Sequence, residues 1–123
     1  MDIFTKTTFI TPTHRKSIVR FHDLTGMNLD YKNMDDEDFS FSCFAFCSLR
    51  YAQLNNCDLS YADFNNVDLR GSSLRGSVLI GANLMNANLE NSDLTNAVFN
   101  QETLLPFDTF EAYRKGMRPF FNH

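Results

Sequence analysis

A large apolar residue returns at every fifth position of this sequence, without a break, from Leu24 to Leu104. Seventeen positions share this register, and twelve of the thirteen leucines fall on it. Five residues of an α-helix turn through about 500°, so these side chains would not gather on one helix face. A β-strand alternates its sides every second residue, and five is odd. The spacing therefore excludes both ordinary amphipathic elements and indicates a repeat with a geometry of its own.

A second register, two positions earlier, holds small residues from Cys47 to Ala97. Polar residues, often Asp or Asn, lie between the two registers, as in Tyr61-Ala62-Asp63-Phe64-Asn65 and Gly81-Ala82-Asn83-Leu84-Met85. Over residues 22–106 these motifs resemble the pentapeptide-repeat family, whose pattern is A-(D/N)-L-x-x. The resemblance implies an all-β solenoid, a right-handed quadrilateral β-helix of about four coils, with four repeats in each coil and both registers pointing inward.

Stacked coils of this kind align residues that are twenty apart, so large residues form inward columns. One such column is predicted to contain Leu24, Phe44, Phe64, Leu84 and Leu104. The first coil departs from the pattern, because its small-residue positions hold His22, Met27, Lys32 and Glu37. We interpret residues 22–41 as a degenerate terminal coil beneath an N-terminal cap.

The repeat divides the chain into an N-terminal cap segment of residues 1–21, the β-helix of residues 22–106, and a C-terminal helix and tail of residues 107–123. Pro106 halts the repeat, and the next residues predict a helix that Asp108 or Thr109 caps and Gly116 ends. The helix and tail are rich in apolar residues, which predict either a lid on the last coil or a lid that is also a homodimer interface, the second implied by the family resemblance: Phe110, Tyr113, Met117, Phe120 and Phe121.

Candidate chemistry is scarce in the sequence. The three histidines lie near the termini, and none has metal-ligand spacing with a cysteine, so we expect no enzyme, no metal and no cofactor. Three cysteines without a C-x-x-C pair argue against a disulfide framework. The sequence contains no apolar run long enough to cross a membrane and no secretory signal pattern, so we expect a cytoplasmic protein.

Acidic residues are concentrated in the repeat, where residues 23–104 carry twelve acidic against four basic side chains. The charge favours a protein partner with a basic surface and argues against direct binding of nucleic acid or membrane. In the first coils the acidic residues lie near aromatic residues at corner positions, and together they form the predicted partner-binding set: Asp30, Asp35, Asp36, Asp38, Asp58, Asp63, Tyr31, Phe41, Phe46, Tyr51 and Tyr61. A further outward column, Asp30, Arg50, Arg70 and Glu90, predicts surface ion pairs between Asp30 and Arg50 and between Arg70 and Glu90.

Two functions follow as hypotheses. The family resemblance implies an acidic mimic of DNA that inhibits a nucleic-acid-binding protein or complex, such as a DNA gyrase-like target or, for a phage- or plasmid-encoded protein, bacterial defence machinery. The alternative is a protein–protein adaptor or structural module that uses the exposed aromatic residues. The two are distinguished by the effect of salt on binding.

Overall fold

The computed structural model describes residues 21–120, and these wind into a stack of square coils. The predicted N-terminal cap lies outside the described residues except for Phe21. Parallel bridges join residues twenty apart, as in the column Asp23, Cys43, Asp63 and Asn83. The quadrilateral β-helix that the repeat predicts is therefore confirmed.

Four sides make up each coil, and we name them by their residues in the first one. Side A is residues 22–26, side B 27–31, side C 32–36 and side D 37–41. Residues twenty apart belong to the same side. The last residue of each side forms a corner, so corner DA contains Phe21 and Phe41, corner AB Gly26, corner BC Tyr31 and corner CD Asp36.

The interior is filled by leucine and phenylalanine side chains, as the register predicts. Phe39, Phe44 and Phe64 have no exposed surface, and the rings of Phe44 and Phe64 stack at 4.8 Å with an interplanar angle of 2°. Each buried side chain of this size contributes roughly 1.5–3 kcal/mol before the loss of entropy. The small-residue register is buried beside them, and its polar members bond to the backbone, as the Ser72 hydroxyl does to the carbonyl of Leu69.

The prediction that Leu104 points inward is wrong. Leu104 pairs with Asn83, twenty-one residues away, and its side chain is 48% exposed. One extra residue enters this turn, where the Thr103 hydroxyl donates to the carbonyl of Leu79. The extra residue shifts the register by one position, and Leu105 packs against the core instead.

The C-terminal segment returns to the coil after a short helix. Helix α1 spans Thr109–Arg114, and strand β2 (Arg118–Pro119) pairs in parallel with strand β1 (Val98–Phe99). Asp108 caps the helix, its carboxylate accepting the Glu111 amide at 2.9 Å. Asp108 is one of the two capping residues that the sequence predicts. Strand β2 adds one more rung to side D, beyond the predicted end of the repeat.

Met117 is not part of the exposed apolar set to which the sequence analysis assigned it, because it lies beyond the end of helix α1. The helix ends at Arg114, and Gly116 turns the chain with a φ of +84°. Met117 is only 3% exposed and lies twenty residues after Ala97, at the small-residue position of side D. Its side chain therefore belongs to the lid within one chain, and not to an exposed surface.

Candidate partner-binding corners

Every corner of the solenoid from Phe21 to Asn96 has a left-handed backbone, with φ between 58° and 74°. Glycine and asparagine adopt this conformation readily, and they occupy nine of the sixteen corners. Bulky side chains are disfavoured there, at a cost of roughly 1–3 kcal/mol each. Six corners nevertheless carry large aromatic side chains that are 46–72% exposed: Phe21, Tyr31, Phe41, Phe46, Tyr51 and Tyr61.

These aromatic side chains form two ladders on diagonally opposite corners. On corner DA the rings of Phe21, Phe41 and Tyr61 stack in steps of 5.2 Å. On corner BC the rings of Tyr31 and Tyr51 stack at the same distance. We call these the DA ladder and the BC ladder. Phe46 stands on corner AB and is 66% exposed, so the structure separates the predicted aromatic set into three places.

The sequence prediction omitted Phe21. It lies one coil before Phe41 on the same five-residue corner register, so that register is the signal that would have found it. With Phe21 included, the DA ladder has three rings and is the longer of the two.

Each ladder ends above a glycine of the next coil. A Cβ atom added at Gly71 would meet the ring of Tyr51, and one added at Gly81 would meet the ring of Tyr61. The Tyr61 hydroxyl also donates to Glu102 at 2.9 Å, next to the turn that contains the extra residue. These glycines therefore provide space for the rings as well as the left-handed backbone.

Replacing Gly81 by alanine is expected to destabilise the fold more than the same change at Gly26. Both glycines have a positive φ, so each substitution costs about 1 kcal/mol in backbone strain. A Cβ atom at Gly26 meets nothing within 4 Å, whereas at Gly81 it displaces the Tyr61 ring, for about 1 kcal/mol more. Urea denaturation measures both variants. The difference should vanish in a Tyr61→Ala background, and its survival there would contradict the contact.

The predicted carboxylates on sides A and D cap local turns. Asp38, Asp58 and Asp63 each accept the backbone amide two residues further on, at 2.9–3.0 Å. Asn83 and Asn88 make the same bond at their positions. An uncharged amide oxygen makes this bond as a carboxylate does, so the turn does not require a negative charge.

The remaining predicted acidic residues lie on the other sides. Asp30 is on side B, Asp35 is on side C, and Asp36 forms corner CD. The Asp35 carboxylate accepts the amide of Asn55 in the next coil at 2.8 Å. The structure therefore distributes the acidic set around the first coils and does not gather it on one face.

Arginine is confined to sides B and C of the repeat coils, where each residue forms an ion pair. Arg50 contacts Asp30 at 2.8 Å, as predicted. The predicted pairing of Arg70 with Glu90 is wrong, because Arg70 contacts Asp68 of its own coil at 2.6 Å. Hydrogen bonding from Arg70 lowers the pKa of Asp68. The third pair joins Arg75 to Asp93 at 2.9 Å, and the sequence analysis did not predict it.

Sides A and D differ from sides B and C in charge. Their outward positions from residue 23 to residue 100, all within the described part of the chain, hold no lysine or arginine. They carry Asp23 and Asp63 on side A, and Asp38 and Asp58 on side D. Burial lowers the pKa of His22 beside Asp23, so this imidazole adds little positive charge near neutral pH. The DA ladder therefore lies between two acidic sides.

A second apolar surface lies at the C-terminal end. The side chains of Phe110, Tyr113 and Phe120 are 48–69% exposed. Tyr113 and Phe120 line a cleft of about 530 Å³, together with Leu104 and other residues of the last turn. Phe121 lies outside the described residues.

Candidate metal ligands do not cluster in the described residues, 21–120. No group of three or more His, Cys, Asp or Glu side chains in this range is placed to hold a metal ion. Cys43, Cys47 and Cys57 are free thiols. Within the same range, no helix has the length and apolar character needed to cross a membrane.

Comparison with known proteins identifies the class. The family model for pentapeptide repeats matches residues 38–76 and 62–101 with eight copies, and the chain belongs to this family. A crystal structure of a pentapeptide repeat protein from Nostoc PCC 7120 superimposes with a TM-score of 0.73 at 30% identity, covering 85% of this chain and 89% of that one. A pentapeptide repeat protein from the Arabidopsis thaliana thylakoid lumen gives a TM-score of 0.43 at 27% identity, covering 87% and 67%. A search of curated proteins finds no match.

Proposed function

We propose that this pentapeptide-repeat protein is a non-catalytic binding module that recognises another protein through the exposed aromatic residues of its N-terminal coils. One observation carries the proposal. Six corners accept the backbone cost of an aromatic residue in a conformation that glycine and asparagine satisfy in the later coils. Strain of this kind is concentrated at functional sites, and Tyr and Phe are enriched at protein interfaces. Free cysteines are in keeping with a cytoplasmic location for the module.

A narrower form of the proposal is an acidic, DNA-mimic inhibitor whose partner has a basic nucleic-acid-binding surface. Residues 21–63 support it, since they carry eight acidic side chains against two basic ones. Three features favour the broader form: the local turn bonds of the aspartates, the ion pairs on sides B and C, and the exposure of the aromatic rings. The proposal also includes the homodimer predicted at the C-terminal end, a contact separate from the partner-binding corners. Its candidate interface residues that are exposed are Phe110, Tyr113 and Phe120.

The test is affinity capture with the natural chain and with a variant that is expected to keep the same fold. Tyr31, Phe41, Phe46 and Tyr51 are replaced by asparagine, the residue that other corners carry at the same backbone conformation. We expect the proteins captured from lysate by the natural chain to be lost with this variant, as quantitative mass spectrometry would show. Equal capture by both chains would refute aromatic recognition.

Salt and DNA separate the two forms of the proposal. A DNA mimic is expected to lose its partner when duplex DNA competes and when salt screens the charges. Binding that survives both treatments and still needs the aromatic corners would leave the broader adaptor role alone.

A further inference from the structure

We propose that the last rung of side A, residues 103–105, binds an extended segment of another protein by adding it as one further strand. The segment has a small residue and a large apolar residue with one residue between them, and the large one fills the cleft at the C-terminal end. The site is separate from the aromatic corners, so the inference goes beyond the proposed function. An unpaired strand edge and the apolar cleft beside it carry the inference.

The edge of this rung has a hydrogen-bond acceptor and a donor without partners. One coil earlier, the Ala82 carbonyl accepts the Leu104 amide at 2.9 Å, and the Leu84 amide donates to the Leu104 carbonyl at 2.7 Å. The equivalent groups of the last rung are the Thr103 carbonyl and the Leu105 amide. Among the described residues, neither group forms a hydrogen bond. An edge of this kind is a template for pairing with another strand.

The other sides of the solenoid end differently. At the end of side C, the Gly116 carbonyl accepts the Asn96 amide at 2.8 Å. Strand β2 is the last described rung of side D, and Pro119 within it has no amide proton to donate. Within the described part of the chain, side B also ends in a free carbonyl and a free amide, at Ala87 and Leu89, but neither residue lines the cleft. Side A is therefore the place where a free edge and an apolar cavity coincide.

The apolar column beneath this edge is incompletely covered. Phe64 and Leu84 of the column have no exposed surface, whereas Leu105, which continues it, is only half-buried. Leu105 lines the cleft of about 530 Å³ together with Phe107 and Phe120. A cavity of this size and lining can take up a leucine or phenylalanine side chain from another molecule.

The rungs already present define the chemistry of the added segment. In the rung 82–84 the first and last residues, one small and one large, are buried against the core. In a parallel pair one residue provides both a donor and an acceptor to the neighbouring strand. The middle residue of the segment therefore donates to the Thr103 carbonyl and accepts from the Leu105 amide. Its neighbours then point inward, with the small one beside Thr103 and the large one in the cleft.

The probe is a short fluorescent peptide with the central sequence alanine-threonine-leucine, flanked by serines. One control peptide carries an N-methylated threonine, which cannot donate to the Thr103 carbonyl, and another has asparagine in place of leucine. Fluorescence anisotropy is measured with the natural chain and with Phe120→Ala, which removes one wall of the cleft. The matched variant is Phe110→Ala, because Phe110 is 69% exposed at the same end but does not line the cleft. Circular dichroism verifies each fold, and amide exchange of Leu105 is followed by NMR.

We expect N-methylation, the asparagine peptide and Phe120→Ala each to weaken binding about tenfold, and Phe110→Ala to leave it within twofold. The Leu105 amide should exchange rapidly in the free chain and about tenfold more slowly at saturating peptide. Equal affinity for the N-methylated peptide, or no binding of the natural-backbone peptide, would overturn the inference.

Protection of the Leu105 amide in the free chain would also overturn the inference, because the edge would then already be filled. Analytical ultracentrifugation would show whether a second copy fills it. None of these outcomes bears on the aromatic corners, so the lysate capture described above can fail or succeed independently.

Discussion

Phe64→Ala is expected to lower the free energy of unfolding by about 4 kcal/mol. The Phe64 side chain has no exposed surface and lies flat on the Phe44 ring, 4.8 Å away. Truncation removes the transfer free energy of the ring, opens a cavity, and ends a stacking contact of about 1 kcal/mol. Each coil touches only its neighbours, so the cavity at the centre of the stack cannot be closed by movement of distant elements. Urea denaturation followed by circular dichroism measures the loss.

Two matched variants make this prediction specific. Phe64→Leu should cost less than about 1.5 kcal/mol, since leucine fills the same column at Leu24 and Leu84. Phe46→Asn should cost little, because Phe46 is 66% exposed and its corner is asparagine in the next two coils. If Phe46→Asn were as damaging as Phe64→Ala, the assignment of inward and outward positions would be wrong.

The interior of the fold was predictable because its signal is redundant. Seventeen register positions specify the same coil, so one irregular residue does not obscure the pattern. At the last turn a single extra residue precedes Leu104, and it exchanges the roles of two adjacent leucines. Leu104 and Leu105 are chemically identical, so composition could not show which of them packs inward. The hydrogen bond from Thr103 to Leu79 decides it, and such a bond is formed only in the folded coil.

The exposure of the corner aromatics was also predictable, since corner residues point outward in every coil. Their separation into opposite ladders follows from four corners per coil. The ion-pair partner of Arg70 was harder to predict. Asp68 lies two residues away in the same coil, Glu90 lies in the neighbouring coil, and the repeat makes both of them candidate partners. The structure shows Arg70 bonded to both carboxylate oxygens of Asp68, a choice of rotamer that no register specifies.

Alkaline pH is expected to destabilise the fold through two buried thiols. Cys47 and Cys57 are 1–2% exposed, and they donate hydrogen bonds to the carbonyls of Leu24 and Met34. Burial raises the pKa of Cys47 to about 11 and that of Cys57 to about 12, from an ordinary value of 9.0. Above pH 9 the unfolded chain releases these protons while the folded chain retains them, so stability falls as pH rises. By pH 10.5 the two thiols together should cost on the order of 4 kcal/mol.

The control for this pH dependence is Cys47→Ala/Cys57→Ala. Alanine occupies the same inward position at Ala52 and Ala62, so the variant is expected to fold. Its urea midpoint at pH 8 measures the destabilisation caused by removing the thiol hydrogen bonds. This contribution to the difference between the two chains does not depend on pH. Between pH 8 and pH 10.5 the midpoint of the natural chain should fall steeply and that of the variant only slightly, since tyrosine ionisation affects both chains alike. Parallel pH profiles for the two chains would show that the thiols are not held protonated by the core.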